Sequence, residues 1–226
     1  MLAISKEKIT EEKDGQDARP PKGWYRRGHK HPPHFDGEAI MQFVTFRLAN
    51  SMPEKELIAW KAELKVKQIT DSMYHERIEA YLDQGRGACW LRDPEIARVV
   101  QDALLYFDGE RYDLWGWVIM PNHVHTLFTQ YAGHRLPDIL HSWKSFTSKQ
   151  ALKVIFRRTS CPLKSGRRDA CPPPPIFWQD DYFDRFIRDE NDFGRTLQYI
   201  ANNPLSAGLC EKPDAYEFMR IYLYGR

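Results

Sequence analysis

The sequence lacks the features that mark several large classes of protein. No stretch of its 226 residues approaches the roughly 18 apolar residues of a membrane-spanning helix. No secretory leader is visible at the start, so we expect a cytoplasmic protein. The four cysteines are scattered, and no two have the spacing of a zinc knuckle. We interpret them as free thiols in a reducing compartment.

The sequence also has little excess charge, because its formal net charge of +2 does not by itself indicate a nucleic-acid partner. The distribution of that charge does. Residues 141–168 hold eight lysines and arginines and no acid, and residues 19–34 hold five and no acid. Local positive fields of this kind attract polyanions through counterion release. Either patch alone is better explained as solvated surface, but the two together with the motif below favour nucleic acid.

Apolar periodicity and turn residues predict a single α+β domain without internal repeats. Residues 1–23 are expected to form a mobile segment, 24–211 the domain and 212–226 a tail, with 24–34 as an extended surface arm. The predicted elements are, in chain order, a strand over 41–48, a polar helix that starts at a capping box in 51–54 and runs toward residue 83, a helix opened by Pro94, a hairpin of strands over 112–119 and 123–130, a helix opened by Pro137, a strand over 176–182 and a helix over 191–203. This order predicts a ferredoxin-like β-α-β-β-α-β antiparallel sheet with an added C-terminal helix.

The most informative segment is residues 117–128, WVIMPNHVHTLF, within the predicted hairpin. His123 and His125 are separated by one residue on a strand, so their side chains point to the same face of the sheet. Two imidazoles on one face can chelate a single divalent cation. A lone His-x-His pair is more often structural, and a metal site needs further ligands from elsewhere in the chain.

The last predicted helix supplies those groups. Its buried face consists of three apolar residues at helical spacing, Phe193, Leu197 and Ile200. Tyr199 lies about 100° from that face, on the flank, and Asn203 lies one turn further along the same flank. Because Pro204 disfavours helical geometry in the residue before it, we expect Asn203 to be the last helical residue or to lie just past the end.

A tyrosine that lies beside a metal-bound pair of imidazoles can attack a phosphodiester. A tyrosine hydroxyl, with a pKa near 10, is a weak nucleophile at neutral pH. A divalent cation held by His123, His125 and Asn203 would stabilise the developing phenolate and the phosphate oxygens. The products would be a 5′-phosphotyrosine and a free 3′-hydroxyl. Such a link keeps the phosphoester energy, so the strand can be rejoined without ATP.

Three segments of the chain together resemble the REP-associated tyrosine transposases of the HUH single-strand endonuclease superfamily. They are residues 117–128, residues 177–188 with FWQDDYFDRFIR, and residues 199–209 with YIANNPLSAGL. Residues 40–48 and 87–108 resemble one branch of the family, and the likeness covers roughly 24–211. The basic loop 157–175 looks longer than the usual connection.

The resemblance implies a ferredoxin-like core, a Mg²⁺ or Mn²⁺ ion and cleavage of single-stranded DNA. It implies that His123 and His125 are the HUH histidines, that Tyr199 is the nucleophile and that Asn203 stands where the third, polar ligand is found. The family's substrates are palindromic repeats that fold as hairpins next to a short guide sequence. This branch of the family suggests a monomer that completes its own active site. The alternative is a dimer whose two chains exchange the tyrosine helix, and the sequence does not decide between them.

Cationic and aromatic residues near these motifs are candidates for holding the DNA strand. The arm contributes Trp24, Tyr25, Arg26 and Arg27, the third helix and its exit contribute Lys144, Lys149, Arg157 and Arg158, and the approach to the last helix contributes Arg185 and Arg188. Asn122 precedes the histidine pair and could either orient it or contact phosphate.

Three functions are compatible with this pattern. The first is a metal-dependent DNA strand transferase that acts through Tyr199. The second is a related module that binds DNA hairpins without cutting them. The third is a metal-dependent hydrolase that uses water, which would turn over its substrate without a covalent intermediate.

Overall fold

The computed structural model describes residues 10–11, 23–26, 34–37, 39–158 and 176–222. Its strands and helices are β1 (Thr10–Glu11), β2 (Gly23–Arg26), β3 (His34–Asp36), β4 (Met41–Arg47), α1 (Glu54–Lys65), α2 (Asp71–Leu82), α3 (Pro94–Tyr106), β5 (Tyr112–Ile119), β6 (His123–Gln130), α4 (Leu136–Arg158), β7 (Phe183–Phe186), α5 (Glu190–Ser206) and β8 (Met219–Ile221). Among the described helices, none combines the length and the apolar character needed to cross a bilayer.

The main sheet has five antiparallel strands in the order β7-β4-β6-β5-β8. Counted along the chain, its first four strands lie in the order 4-1-3-2, which is the ferredoxin-like arrangement of a β-α-β-β-α-β unit. The predicted α+β class and the antiparallel sheet are therefore confirmed. Strand β8, from beyond residue 211, adds a fifth member at the edge next to β5.

The two faces of the sheet are covered by different helices. On β4, Val44 and Phe46 belong to the core that includes α3 and α4, whereas Phe43 belongs to the core under α5. On β6, Val124 belongs to the first core and Leu127 to the second. Because side chains alternate along a strand, His123 and His125 lie on the same face as Leu127, beneath α5.

Helix α5 lies close to the sheet because β5 has a glycine where the two meet. A Cβ atom built on Gly116 would lie 2.9 Å from Cδ2 of Leu197 and 3.0 Å from Cδ1 of Ile221. The β5–β6 register is also irregular between Leu114 and Gly116. The missing side chain thus lets α5 approach the strand, as a glycine at a bulge often does.

The polar helix predicted to run from the capping box toward residue 83 is wrong, because the segment forms two helices. Pro53 stands at the N-cap of α1 and makes no side-chain cap, so the capping box does not form. The chain turns after α1, where Lys67 has a φ of +57°, and Thr70 caps α2 by accepting a hydrogen bond from the Met73 amide. The turn brings the end of α2 back over the main sheet.

The predicted strand over 176–182 is also wrong. Phe177 and Trp178 are buried in the core, yet residue 178 makes only an isolated bridge with Leu48, and pairing with β4 begins at Phe183. The aromatic residues of this segment are there because the extended chain is buried, and not because it pairs as a strand of the sheet. Helix α5 likewise continues past Pro204 to residue 206. A proline in the last turn removes only one backbone donor, which the helix end tolerates.

The N-terminal region contributes a small second sheet in the order β1-β2-β3. Residues 23–26 and 34–36 pair in it as antiparallel strands, so the predicted surface arm is partly a hairpin. His34 is fully buried, with Nδ1 2.5 Å from Oδ1 of Asp184 and Nε2 3.2 Å from Oδ1 of Asp181. This cluster ties β3 to the edge strand of the main sheet.

Candidate metal centre and nucleophile

The two histidines of β6 are held by partners on neighbouring segments. Thr45 on β4 is directly opposite His125 in the sheet, and its Oγ1 lies 2.8 Å from His125 Nδ1. Asn122, which precedes the strand, places its Oδ1 2.7 Å from His123 Nδ1. Outer-shell partners of this kind orient metal-binding imidazoles. Because these partners contact Nδ1, the Nε2 atom of each ring is left to face the site.

The tautomer of His123 follows from the contacts of Asn122. The amide nitrogen of Asn122 donates to the carbonyls of Leu82 and Arg86 at 3.1 Å, so its oxygen must face His123. An amide oxygen only accepts, so Nδ1 of His123 carries the proton and Nε2 has a lone pair. That lone pair points at Nε2 of His125, 2.9 Å away.

The protein environment keeps both rings neutral. His123 and His125 are fully buried, and burial lowers the pKa of His123 to about 3. Burial, and then the repulsion that two adjacent protonated rings would suffer, lowers the pKa of His125 well below its usual value. Neutral imidazole is the form that binds metals.

Helix α5 brings Tyr199 and Asn203 to the same point. The Tyr199 hydroxyl and the Asn203 side-chain nitrogen each lie 3.4 Å from Nε2 of His125. The rings of His125 and Tyr199 meet edge to face, with centroids 5.2 Å apart. All these groups come from one chain, so the predicted convergence of a phenol with the histidine pair is complete in cis.

The structure adds Asp83, a group that the sequence analysis missed. One ligand atom from each of Asp83, His123 and His125 lies within 4.8 Å of the others. Oδ1 of Asp83 is 3.6 Å from Nε2 of His123. Asp83 follows the last turn of α2 and lies 40 residues before His123 in the sequence. A pattern within one segment of the sequence therefore could not connect the two residues.

Two buried oxygens in this site lack a hydrogen-bond partner among the described residues. They are Oδ1 of Asp83 and Oδ1 of Asn203. Buried polar atoms are nearly always satisfied, so an orphaned pair beside two convergent imidazole nitrogens fits a cation. The residues present therefore suit a divalent metal with mixed nitrogen and oxygen ligands.

Glu79, one turn before Asp83 on α2, is the carboxylate beside the Tyr199 hydroxyl. Burial, then the charge of Asp83, raises the pKa of Glu79 to about 7. Burial also raises the pKa of Asp83 to about 6. The pKa of Tyr199 is raised far above its usual value by burial, then by the charges of Glu79 and Asp83. The phenol is thus protonated, with a carboxylate next to its proton.

Several predicted DNA contacts have protein partners in the structure. Asn122 is fully buried against His123, which favours the orienting role over a phosphate contact. Arg185 bonds both carboxylate oxygens of Asp192, at 3.0 and 3.1 Å, and Oγ1 of Thr196 at 2.6 Å. This arginine therefore positions α5 on β7, while Arg188 is exposed nearby.

The basic residues of α4 lie on two sides of that helix. Arg157 and Arg158 pair with Asp93 and Glu95 at the start of α3, which offsets part of their charge. Lys144 donates to the Asp180 carbonyl at 2.7 Å, and Lys149 is exposed. In the arm, Trp24, Tyr25 and Arg26 belong to β2, whereas Arg27 and most of the loop 157–175 lie outside the described residues.

Comparison with known proteins finds a relative and several similar structures, and no family model matches the chain. An uncharacterized protein of Haemophilus influenzae is 31% identical over 107 residues, which span 45% of this chain and 58% of that protein. A REP-associated tyrosine transposase bound to a REP hairpin is 15% identical, with a TM-score of 0.47 over 82% of this chain and 79% of that chain. A putative transposase from Deinococcus radiodurans R1 is 12% identical, with a TM-score of 0.31 over 79% of this chain and 97% of that chain. The fold assignment rests on the strand order and pairings above.

Proposed function

We propose that the protein cleaves and rejoins single-stranded hairpin DNA through a 5′-phosphotyrosine on Tyr199, with Mg²⁺ or Mn²⁺ as cofactor. The observation that carries this proposal is the 3.4 Å approach of the Tyr199 hydroxyl to Nε2 of His125. A phenol at the edge of a buried imidazole pair has the arrangement that covalent phosphoryl transfer needs.

The protein's own residues account for the proton and for the geometry of the step. Glu79 accepts the proton of Tyr199 Oη as that oxygen attacks phosphorus. The bond from phosphorus to the 3′-oxygen breaks, and the leaving oxygen takes up a proton from solvent water to become the 3′-hydroxyl. Attack by that hydroxyl on the phosphotyrosine reverses the exchange, so no external energy source is needed.

His123, His125, Asp83 and Asn203 would hold the divalent cation. Bound there, the cation would neutralise phosphate charge and make phosphorus more electrophilic. Asn122 and Thr45 keep the imidazoles oriented through their Nδ1 atoms. Gly116 and Arg185 set the position of α5, and with it the position of Tyr199.

The choice of hairpin DNA rests on the sequence resemblance and on the charge distribution. The motif-bearing segments resemble enzymes whose substrates are palindromic repeats, and the basic residues of 141–168 suit a polyanion. We propose that one chain acts alone, since its histidines and tyrosine meet without a second copy.

A denaturing gel tests the proposal. The wild-type protein is incubated with hairpin oligonucleotides and Mn²⁺, and a denaturation-resistant protein–DNA complex is expected. Tyr199→Phe should bind the hairpin but form no such complex, whereas the control Tyr182→Phe should still form it. A covalent complex that survives Tyr199→Phe overturns the assignment. Binding without any complex in the wild type indicates a non-cleaving module, and turnover without a complex indicates hydrolysis by water.

A further inference from the structure

A cleft of about 340 Å³ opens at Tyr199, between helices α2 and α5. Glu76 and Glu79 line it from α2, Thr196 and Tyr199 from α5, and the edge strand β7 closes its floor with Phe183. His123, His125 and Asn203 are almost fully buried, whereas Tyr199 is partly exposed and lines this cleft. Its volume is at the low end for ligand sites, enough for one ring system and not for a duplex.

The charge of the cleft favours a neutral part of a DNA strand. The carboxylates of Glu76, Glu79 and Asp192 line the cleft. The Arg185 guanidinium among them is bonded to Asp192. Because the Arg185–Asp192 pair balances itself, the excess charge of the lining comes from Glu76 and Glu79 and repels a phosphate. A strand that reaches Tyr199 would therefore not place its next phosphate here. Arg195 stands at the exposed rim, where it suits that phosphate outside the cleft.

Flat aromatic surfaces line the same cleft. The rings of His75 and Phe183 lie with centroids 4.0 Å apart, and the Arg185 guanidinium lies 5.2 Å from the Phe43 ring centroid. Aromatic rings and arginine planes are the surfaces on which unpaired bases stack. Carboxylates accept hydrogen bonds from exocyclic amino groups such as N4 of cytosine, whereas thymine has no exocyclic amino group.

We propose that this cleft receives one unpaired nucleobase next to the scissile phosphate and prefers a base with an exocyclic amino group. The inference rests on the proposed function, because it places a DNA strand at Tyr199. It makes Glu76 a specificity-determining residue and Phe183 a stacking surface, two roles separate from the chemistry at the tyrosine.

Binding of free deoxynucleosides tests the cleft without any cleavage. Saturation-transfer NMR in EDTA should show deoxycytidine, deoxyadenosine and deoxyguanosine binding about fivefold more tightly than thymidine. Each nucleoside should also bind more tightly than its 5′-monophosphate. Glu76→Gln should shrink both differences, whereas the control Glu54→Gln on exposed α1 should leave them unchanged. Equal binding of thymidine, tighter binding of the monophosphates or no transfer from any nucleoside overturns the inference.

A second variant separates stacking from hydrogen bonding. Phe183→Leu keeps an apolar side chain on β7 and should weaken all the nucleosides alike, by about fivefold or more. An unequal loss that reverses the preference for amino bases would contradict the stacking role. Circular dichroism of both variants checks that they are folded.

Sequencing of covalently captured DNA separates this inference from the proposed function. From a hairpin pool with randomised flanks, wild-type adducts should be depleted of thymine at one position next to the cut, and Glu76→Gln should remove that bias. Adducts without any such bias refute only the nucleobase cleft. Discrimination among nucleosides without any adduct refutes strand transfer and leaves the cleft standing.

Discussion

Two histidine sites in this protein are equally buried, yet His34 is protonated whereas His123 and His125 are neutral. His34 lies between the carboxylates of Asp181 and Asp184, whereas His123 and His125 have the neutral partners Asn122 and Thr45 on their Nδ1 atoms. Burial lowers the pKa of His34, but the hydrogen bonds to the two aspartates and their charges outweigh it and raise the pKa to about 9. For His123 and His125 on β6, burial lowers the pKa and no neighbouring charge raises it.

The comparison shows that neighbours, and not burial, decide what a buried imidazole can do. His34 is held as a cation and can only donate, so it serves as a structural tie between β3 and β7. His123 is held neutral with its Nδ1 proton committed, so its Nε2 lone pair stays available. The predictions below break or sharpen this contrast, from the largest expected effect to the smallest.

Removal of His34 should destabilise the fold most. His34→Ala leaves Asp184, whose side chain is 1% exposed, as a buried charge without its imidazolium. Breaking a buried ion pair in this way costs about 3–5 kcal/mol, measured as the free energy of unfolding in urea. His141→Ala, at an exposed position of α4, is the control. A loss within 1 kcal/mol of that control would contradict a charged tie.

Removal of His125 should abolish metal binding without a comparable loss of stability. We expect His125→Ala to weaken Mn²⁺ binding by more than about 100-fold, because loss of a ligand exceeds the 10–100-fold typical of an outer-shell partner. Titration calorimetry or electron paramagnetic resonance measures this change. His141→Ala again serves as the control, and wild-type Mn²⁺ affinity in His125→Ala would place the metal elsewhere.

Loss of the neutral partner of His125 should have a smaller effect. Thr45→Val keeps the shape of the side chain but removes the hydroxyl that lies 2.8 Å from Nδ1. Mn²⁺ affinity should fall by about 10–100-fold, and Thr45→Ser should restore most of it. If valine and serine behave alike, the hydroxyl does not orient the imidazole.

The two clusters should give opposite slopes of stability against pH. For His34 the folded pKa is raised, so its contribution is complete below about 6.5 and is lost as pH rises toward 9, by at most about 1.4 kcal/mol per unit. For His123 the folded pKa is depressed to about 3, so in the metal-free protein stability falls as pH drops below about 6.5.

Urea unfolding in EDTA between about pH 5 and pH 9 measures both slopes, because histidine titrates within that range. His34→Ala should flatten the alkaline limb and leave the acid limb in place. An unchanged alkaline limb in that variant would assign the slope to other groups.

The sequence was sufficient where the signal is local. Alternation along one strand placed His123 and His125 on one face, and helical spacing placed Tyr199 and Asn203 on one flank, and the structure has both arrangements. The strand order of the sheet followed from the order of elements. Each of these depends on spacing within one or two neighbouring segments.

The sequence was insufficient where the chain returns from a distance. Asp83 and Glu79 reach the site because α1 and α2 are separate helices, and the break between them depends on the backbone conformation at Lys67. The aspartates that pair with His34 lie about 150 positions along the chain from it. Contacts between such distant residues produce no helical or strand periodicity, so the patterns of a single sequence cannot reveal them.

The site of covalent attachment tests the central claim most directly. The adduct formed with hairpin DNA and Mn²⁺ is digested with trypsin, and tandem mass spectrometry locates the nucleotide on the peptide that follows Arg195. That peptide holds Tyr199 and Tyr216, and the Tyr216 hydroxyl is bonded to the Ile119 carbonyl at 2.8 Å. We predict a 5′-phosphate bonded to Tyr199 in the wild type and no modified peptide in His125→Ala. A nucleotide on any other residue, or on Tyr199 without His125, would contradict the account.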